Sequence, residues 1–597
     1  MRVADYIAKF IYEQGTEHVF MLSGGGIMHL TDGLACNKNL KIFCVHHEQA
    51  SSMAIEAYAR VTGKLGVGYF TTGPGATNAI TGLAGAWLDS VSCLFISGQA
   101  KRKDSICKIK MPELRQIGVQ EINILPVVES ITKYSAFVDN PKDIRYHLEK
   151  ALYLSKKGRP GPVWLDIPLD VQGAIIQEHS LRKFIPPKRQ NSISISDIKK
   201  IAKYLKFAKR PVILAGRGVR ISGAINILLG FAVKYKIPIV TTYLGVDVIE
   251  YNHPCHTGVV GIKGTRAGNL AVQNADLLIV LGASLAVVEI GYESNQFARE
   301  AKIIVVDTNS FLKKRKLKID TFILGDVKEF IQKVSGLLAK EKTFSPNKSW
   351  LKKCIFWKRK YPVCLPEYKN LKNKINIYYF IDTLSQKLKS GDVVVTDAGS
   401  ALYAGSQGIK IKKGVRYVTS GGFGGMGYSL PASIGISAGL GNKRVMCING
   451  DGSFQQNIQE LQTVVHYKMP LKIFVLNNSG YLSIRTTQSK FFNGRLLGEG
   501  PKSGVSFPST EKIAKAYGIK FTRINDNKKL GKSLEGVLKY NGPVICEIMT
   551  LEKQEVIPTV ASQKKSDGTM ISRPLEDMYP FLDRDEFCKN MIIKPLD

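Results

Sequence analysis

A glycine-flanked aspartate followed by a pair of asparagines carries the clearest chemical signal in the chain. Asp451 lies between Gly450 and Gly452, and Asn478 stands 27 residues further on. An apolar run precedes each of them, which predicts two buried strands, with a helix from Ser453 between. Ligands collect at the carboxyl ends of neighbouring parallel strands, so these oxygens predict a Mg²⁺ and diphosphate site at one sheet edge.

Three further glycine-rich segments follow predicted strands: residues 71–78, 396–401 and 420–427. Glycine lets the backbone approach a ligand closely, and amides at a helix start bind phosphate. Each segment, like an isolated Gly-Asp-Gly, is also compatible with an ordinary turn. Glu48, in the first turn of a predicted helix, is compatible with simple complementation of the helix dipole, and Met426 with core packing.

The alternation of apolar strand runs with amphipathic helical stretches predicts an α/β protein built from three doubly wound parallel sheets. A length of 597 residues accommodates about three domains. The expected domains cover 1–175, 193–340 and 375–560, with connectors near 182–190 and 341–374. A C-terminal extension over 561–597 could cover an active-site mouth or stay exposed.

The composition disfavours several classes of protein. No stretch reaches the roughly twenty apolar residues of a membrane span, and no signal peptide is visible. Ten scattered cysteines form no metal or disulfide pattern, which indicates reduced thiols and a cytoplasmic location. The net charge of +35 is compatible with polyanion binding, but the lysines are dispersed and no nucleic-acid module accompanies them. We interpret the charge as a bias of the whole surface that also attracts phosphorylated substrates.

The spacing from Gly-Asp-Gly to Asn-Asn resembles the signature of thiamine-diphosphate-dependent enzymes, and the similarity extends over about residues 1–560. Within them the chain is most similar to the acetolactate synthase group, including relatives that act on nucleotide-linked sugars. The resemblance implies a pyrimidine-binding first domain, a central domain and a third domain for diphosphate and Mg²⁺. It also implies a homodimer or homotetramer in which Glu48 and Asp451 face one site from two subunits.

The resemblance also assigns roles to particular residues. Glu48, in a His-Glu-Gln context, would share a proton with the aminopyrimidine ring and so promote activation of the thiazolium carbon. Asp451, Asn478 and the main-chain carbonyl of Gly480 would bind Mg²⁺. Met426 would hold the two rings of the cofactor in a V shape. The other implied cofactor contacts are Pro74, Asn78, Gly399, Ser400, Gly424, Gly450, Gly452 and Ser453, and Gln120 is the implied substrate contact.

Two positions depart from the acetolactate synthase pattern. Residues 282–288 stand where that group has an Arg-Phe-Asp-Asp-Arg run, which contacts FAD and the acceptor carboxylate, and they contain no arginine. Thr487 stands where the group has a tryptophan near the acceptor. Residues 261–265 do resemble the other flavin loop of the group. The resemblance therefore still allows FAD binding but supports it less strongly.

The sequence therefore predicts thiamine-diphosphate-dependent decarboxylation of a 2-ketoacid, with pyruvate as the expected donor, and transfer of the carbanion to a carbonyl acceptor. The departures suggest two alternatives, acetyl transfer to a nucleotide-linked keto-sugar and simple decarboxylation with release of aldehyde. A non-catalytic protein of this fold is disfavoured by the suitability of Glu48, Asp451 and Asn478. An RNA-binding protein would show affinity that falls steeply with salt.

Overall fold

Three six-stranded sheets, one in each of three successive units, form the framework of the chain. The computed structural model describes residues 1–109, 114–187, 193–340, 348–564, 567 and 569–596. Every pair of neighbouring strands in the three sheets is parallel, and helices connect the strands. The expected α/β class with three parallel sheets is confirmed.

The first unit supplies a sheet whose strands are β1 (His18–Met21), β2 (Lys41–Cys44), β3 (Gly66–Phe70), β4 (Cys93–Gln99), β5 (Ser135–Phe137) and β6 (Val163–Pro168). Its helices are α1 (Val3–Glu13), α2 (Met28–Cys36), α3 (Glu48–Thr62), α4 (Pro74–Asn78), α5 (Ile80–Leu88), α6 (Ile106–Ile109), α7 (Ile124–Val128), α8 (Ile144–Lys156) and α9 (Leu169–Gln172). The strand order is β2-β1-β3-β4-β6-β5.

The middle unit contains β7 (Pro211–Ala215), β8 (Ile239–Thr241), β9 (His256–Val259), β10 (Leu277–Leu281), β11 (Lys302–Asp307) and β12 (Thr321–Leu324). Its helices are α10 (Ile195–Phe207), α11 (Gly218–Ile221), α12 (Ile225–Tyr235), α13 (Arg266–Gln273), α14 (Val287–Ile290), α15 (Val327–Lys340) and α16 (Lys348–Lys360). The order β12-β11-β10-β7-β8-β9 is that of a doubly wound dinucleotide-binding sheet, with its switch point between β7 and β10.

The third unit contains β13 (Val393–Thr396), β14 (Arg416–Thr419), β15 (Val445–Gly450), β16 (Lys472–Asn477), β17 (Lys520–Ile524) and β18 (Val544–Met549). Its helices are α17 (Ile377–Lys387), α18 (Ser400–Gly408), α19 (Ser429–Gly439), α20 (Asp451–Phe454), α21 (Glu460–His466), α22 (Leu482–Phe491), α23 (Thr510–Ala516) and α24 (Asn527–Lys539). The strand order, β14-β13-β15-β16-β18-β17, repeats that of the first sheet.

The first and third units share a hydrophobic core, in which α3 packs against α19. Gly435 permits this close approach, because a Cβ there would lie 2.0 Å from the carbonyl oxygen of Ala54. Buried side chains from both units complete the core, among them Tyr58, Trp164, Val395 and Leu461. The two sheets are therefore held in a fixed relation, which fixes the position of their strand-end loops.

The helix expected from Ser453 begins earlier and is interrupted. It starts at Asp451 as α20, tightens into a 3₁₀ turn at Gln455–Asn457 and resumes as α21. Within that turn the Nδ2 of Asn457 donates a hydrogen bond to the carbonyl of Gly427 at 2.8 Å. The interruption thus ties the aspartate segment to the glycine-rich loop.

The C-terminal extension folds onto the middle unit. Its elements are β19 (Thr559–Val560), β20 (Ser562–Lys564), β21 (Met570–Ser572), β22 (Met578–Tyr579) and α25 (Arg584–Asn590). Asn269 on α13 donates to the carbonyl of Leu575 at 2.8 Å, and the buried carboxylate of Glu576 pairs with Arg299 at 2.7 Å. Residues 565, 566, 568 and 597 of the extension, and 188–190 and 341–347 of the expected connectors, lie outside the described residues. No helix in the described part of the chain has the length and apolarity needed to cross a membrane.

Candidate active site

Paired strands β15 and β16 deliver Asp451 and Asn478 to the same edge of the third sheet. The Oδ2 of buried Asp451 accepts hydrogen bonds from the backbone N–H groups of Asn478 and Gly480, each at 3.1 Å. Its Oδ1 accepts from the N–H of Gly452 at 2.9 Å. A Cβ at Gly452 would meet the ring of Tyr481 at 2.3 Å, so only glycine fits this turn. The structure therefore brings these predicted residues into direct contact.

The side-chain oxygen of Asn478 is buried and lacks a partner. Asn478 is 4 % exposed, and its Oδ1 has no hydrogen-bond partner among the described residues. Leaving a buried amide oxygen unpaired costs about 1–3 kcal/mol unless a ligand satisfies it. Burial also raises the pKa of the adjoining Asp451 to about 6, while its N–H donors oppose the rise. A divalent cation would satisfy both groups, and their hard oxygens fit Mg²⁺.

Arg485, which the sequence interpretation did not single out, holds this turn from behind. Its guanidinium donates to the carbonyl oxygens of Asn478 at 3.1 Å and Ser479 at 3.0 Å. It also forms a largely buried ion pair with Glu499. The pair fixes a turn in which Ser479 has φ +60° and Gly480 has φ +155°. No local pattern in the sequence signals this pair, since its partners come from a helix and a separate loop.

Asp397 forms hydrogen bonds with other loops of the third unit. Its buried carboxylate accepts backbone N–H groups from Ala398 at 2.8 Å, Gly427 at 3.1 Å and Ser429 at 2.9 Å. Burial raises the pKa of Asp397, and these donors together with the Ser453 side chain oppose the rise. One carboxyl group thus fixes the strand end of β13, the glycine-rich loop and the aspartate segment relative to one another.

The residues predicted to hold the diphosphate and the rings lie on these loops. Gly399 has φ +66°, a conformation that favours glycine, and caps the helix that begins at Ser400. Gly424 has φ +68°, and its N–H donates to the carbonyl of Ser420 at 2.7 Å. Met426 is 38 % exposed instead of filling the core. Its thioether is therefore accessible to a ligand or to a second subunit.

Glu48 occupies the first position of α3 and is only 6 % exposed. Its Oε2 accepts a hydrogen bond from Nδ2 of Asn78 at 3.0 Å. His47 caps the helix by accepting the N–H of Gln49 at 3.0 Å. A Cβ at Gly75 would lie 3.3 Å from Oε1 of Glu48, so the turn packs closely against the carboxylate. The structure brings Glu48 and Asn78 together, a contact that the sequence did not specify.

Pro74 begins α4 beside a tight crossing of two backbone segments. A Cβ at the preceding Gly73, which has φ +67°, would lie 2.2 Å from the carbonyl oxygen of Gln120. Gln120 itself is exposed and has φ +55°. The predicted substrate contact therefore stands at the rim of the Glu48 half of the site.

Within one chain the 420–427 loop is tied to the C-terminal end of α3, away from Glu48. The N–H of Gly422 donates to Asp89 at 2.8 Å, and Asp89 forms a buried ion pair with Arg60. Arg60 follows Glu48 by twelve residues, which is about 18 Å along a helix. Among the described residues, no hydrogen bond or ion pair links Glu48 to this loop or to Asp451.

A cavity of about 1330 Å³ opens beside the Gly399 loop. Ser483 lines it, and its Oγ lies 3.3 Å from the position a Cβ on Gly399 would take. Lys263 of the middle unit, Tyr403 of α18 and Thr487 of α22 also line it. The extension contributes Ala561, Ser562, Ile571, Ser572, Arg573, Pro574, Tyr579 and Phe581. The extension thus forms one wall of the approach to the candidate site.

Family models match each of the three units. The N-terminal and C-terminal TPP binding domains of thiamine pyrophosphate enzymes match residues 1–119 and 397–548, and their central domain matches 198–334. The sheets and the strand-end site therefore define a thiamine-pyrophosphate-dependent enzyme.

Curated relatives narrow the class. "Acetolactate synthase large subunit" from Porphyra purpurea is 33% identical over 94% of both chains, and that from Lactococcus lactis subsp. lactis 30% over 94% of both. "Probable acetolactate synthase large subunit" from Methanocaldococcus jannaschii is 31% identical over 94% of this chain and 93% of the relative. The chain belongs to the acetolactate synthase large-subunit family. The expected thiamine-diphosphate-dependent carboligase of this type is confirmed, and keto-sugar transfer and simple decarboxylation are not favoured.

Proposed function

We propose that the chain decarboxylates pyruvate and joins the remaining two-carbon unit to a second 2-ketoacid. The bond between the donor's carboxylate and carbonyl carbons breaks, CO₂ leaves, and the electron pair forms a bond to the acceptor's carbonyl carbon, whose oxygen takes a proton. Bound thiamine diphosphate supplies the electron sink for this chemistry. The single observation that carries the proposal is the Asp451–Asn478 turn, with its unpaired buried oxygen, in a chain of this family.

In this proposal Mg²⁺ is held by Asp451, the Oδ1 of Asn478 and the carbonyl of Gly480, and it anchors the diphosphate. Backbone amides contribute the remaining phosphate contacts at two helix starts. These amides belong to Gly399, Ser400, Gly452 and Ser453, next to the strand end at Gly450.

The pyrimidine half of the site centres on Glu48, which would hold and exchange a proton at a ring nitrogen. The hydrogen bond from Asn78 orients that carboxylate, and Pro74 shapes the adjoining wall. Met426 and the carbonyl of Gly424 would hold the rings from the other side. Gln120 and Thr487 are assigned to the substrate side of the site. Gln120 lies at the rim of the Glu48 half, and Thr487 lines the large cavity.

We further propose that each complete site forms between two subunits of a homo-oligomer. Two observations support this. Among the described residues, the hydrogen bond of the Glu48 carboxylate comes from its own 71–78 segment, while the 420–427 loop is hydrogen-bonded to Asp89 beside the far end of α3. Phe423 and Met426 on that loop are 42 % and 38 % exposed, so two apolar side chains on one loop are available to a partner subunit.

The switch-point cavity of the middle sheet fits a flavin dinucleotide poorly. It measures about 250 Å³, below the roughly 300–1,000 Å³ usual for ligand sites. Arg217, on its lining, donates to the carbonyl of Asp89 in the first unit, and the part of the 282–288 stretch that lines the cavity, residues 282–284, carries no charge. We assign no step of the reaction to FAD.

The deciding experiment is an assay of purified protein with pyruvate, Mg²⁺ and thiamine diphosphate, compared with Glu48→Gln. We expect acetolactate only when the cofactor is present, and a roughly 10²- to 10⁴-fold lower rate in the variant, since it cannot exchange the proton. Asp32→Asn, an exposed carboxylate on α2, is the control. Equal turnover of Glu48→Gln and wild type would refute the role of Glu48, and acetaldehyde as the main product would refute carboligation.

A further inference from the structure

Lys263 is a half-buried cation on the wall of the large cavity. Among the described residues, no carboxylate forms an ion pair with its Nζ. The ammonium lies over the ring of Tyr403, 5.2 Å from its centroid. A cation withdrawn from water without a carboxylate is costly, so such a group is favoured where a ligand brings the negative charge.

The backbone around Lys263 is fixed on three sides, which makes its position specific. Its N–H donates to the hydroxyl of Tyr243 at 3.0 Å. On the preceding residue, the N–H of Ile262 donates to the carbonyl of Val288 at 3.0 Å, and its carbonyl accepts the N–H of Val560 at 2.7 Å. The middle unit and the extension therefore hold this loop rigidly against the cavity.

The lysine also lies on the same cavity as the Gly399 loop, which is assigned to the cofactor. Tyr403, beneath its ammonium, is in the first turn of α18, and its N–H donates to the carbonyl of Gly399 at 3.2 Å. Ser483 bridges the cavity wall and the Gly399 loop. A substrate in this cavity that contacts Lys263 therefore lies beside the Gly399 loop.

We propose that Lys263 binds the carboxylate of the acceptor 2-ketoacid and so determines the preference for an anionic acceptor. The proposal rests on the proposed function. An ammonium acts as a point charge that pairs with a carboxylate without demanding planar geometry. Lys490 and Lys553, which line the same cavity, are exposed and therefore screened by solvent, so they contribute a diffuse field and not a contact.

The test is a competition between two acceptors that carry the same ethyl group on the reacting carbonyl, 2-oxobutanoate with its carboxylate and propanal without it, with pyruvate as donor. In Lys263→Met, we expect the ratio of carboxylated to neutral ligation product to fall about tenfold or more, through a higher KM for 2-oxobutanoate. Lys263→Arg should restore most of the ratio, because it restores the charge. Binding of thiamine diphosphate, followed by quenching of protein fluorescence, should stay within about twofold of wild type, because the lysine touches the acceptor only.

Lys553→Met is the matched control, since it removes a cation from the same cavity. An equal fall in Lys553→Met and Lys263→Met would show a diffuse field and overturn the contact. An unchanged product ratio in Lys263→Met would also overturn it, while ligation itself persists. Failure of the proposed function has a different signature, because the wild-type enzyme would then form no ligation product from either acceptor.

Discussion

Asn478 places a buried oxygen at the candidate site, and among the described residues this oxygen has no hydrogen-bond partner. The spacing of Asp451 and Asn478 was enough to predict that they would meet, since paired parallel strands end at one edge. Arg485 and Glu499 could not be predicted in the same way. Their pairing depends on the path of the loop after α22, which no periodicity encodes.

Asn478→Ala should weaken the dependence of cofactor binding on Mg²⁺. We expect the apparent Mg²⁺ affinity to fall about 10- to 100-fold or more. Loss of a residue that only supports a metal ligand already has an effect of this size, and Asn478 is proposed to be a direct ligand. A titration of Mg²⁺ at fixed thiamine diphosphate, followed by fluorescence, measures this. The metal-free variant should melt no lower than wild type, since an unpaired oxygen has been removed. Asn39→Ala, at an exposed position, is the control, and identical titrations of the two variants would contradict the assignment.

At the scale of single elements, the sequence predicted where strands lie but not which buried polar groups interrupt or occupy them. The strands around the site appear close to where the apolar runs place them, whereas the helix after Asp451 is interrupted because Asn457 bonds to Gly427, thirty residues away. Strand β6 shows the same limit in another form. It carries Asp166 in its buried centre, where Ser97 donates at 2.6 Å and Gln99 at 3.0 Å, and burial raises the pKa of the carboxyl to about 7.

The raised pKa of Asp166 predicts how stability depends on pH. The folded state binds this proton more tightly than the unfolded state, so the stabilisation is complete below about pH 4 and lost as the pH rises to about 7. The free energy of unfolding of Asp166→Asn, relative to that of wild type, should therefore increase across that pH window by up to about 4 kcal/mol. Melting temperatures at pH 5 and pH 8 measure the difference. A constant difference between the two proteins, equal to that of the exposed Asp585→Asn, would contradict the prediction.

At the scale of the whole molecule, the sequence predicted three parallel sheets but not how the three units pack against one another. The common core of the first and third units depends on contacts such as Gly435 against Ala54, which join positions far apart in the chain. The same holds for the extension, which the sequence left open and which binds the middle unit while lining the large cavity.

The proposed sharing of sites between subunits predicts complementation. Glu48→Gln and Asp451→Asn should each be nearly inactive alone, whereas co-refolded or co-expressed mixtures should recover about one quarter of wild-type activity, since each mixed dimer contains one intact site. Light scattering measures whether the mixed chains form dimers, and the activity assay measures the recovery. A mixed dimer with no activity would show that each site lies within one chain.

The repeated strand order has a consequence for the symmetry of the chain. Helices α3 and α19 follow corresponding strands, β2 and β14, and they pack against each other as equivalent surfaces do in a two-fold dimer. Glu48 and the Met426 loop follow these same two strands, while Pro74 and Asp451 follow the next pair, β3 and β15. The first and third units are therefore related by an approximate internal two-fold symmetry, in which the loops proposed to exchange a proton and to bind Mg²⁺ follow equivalent strands.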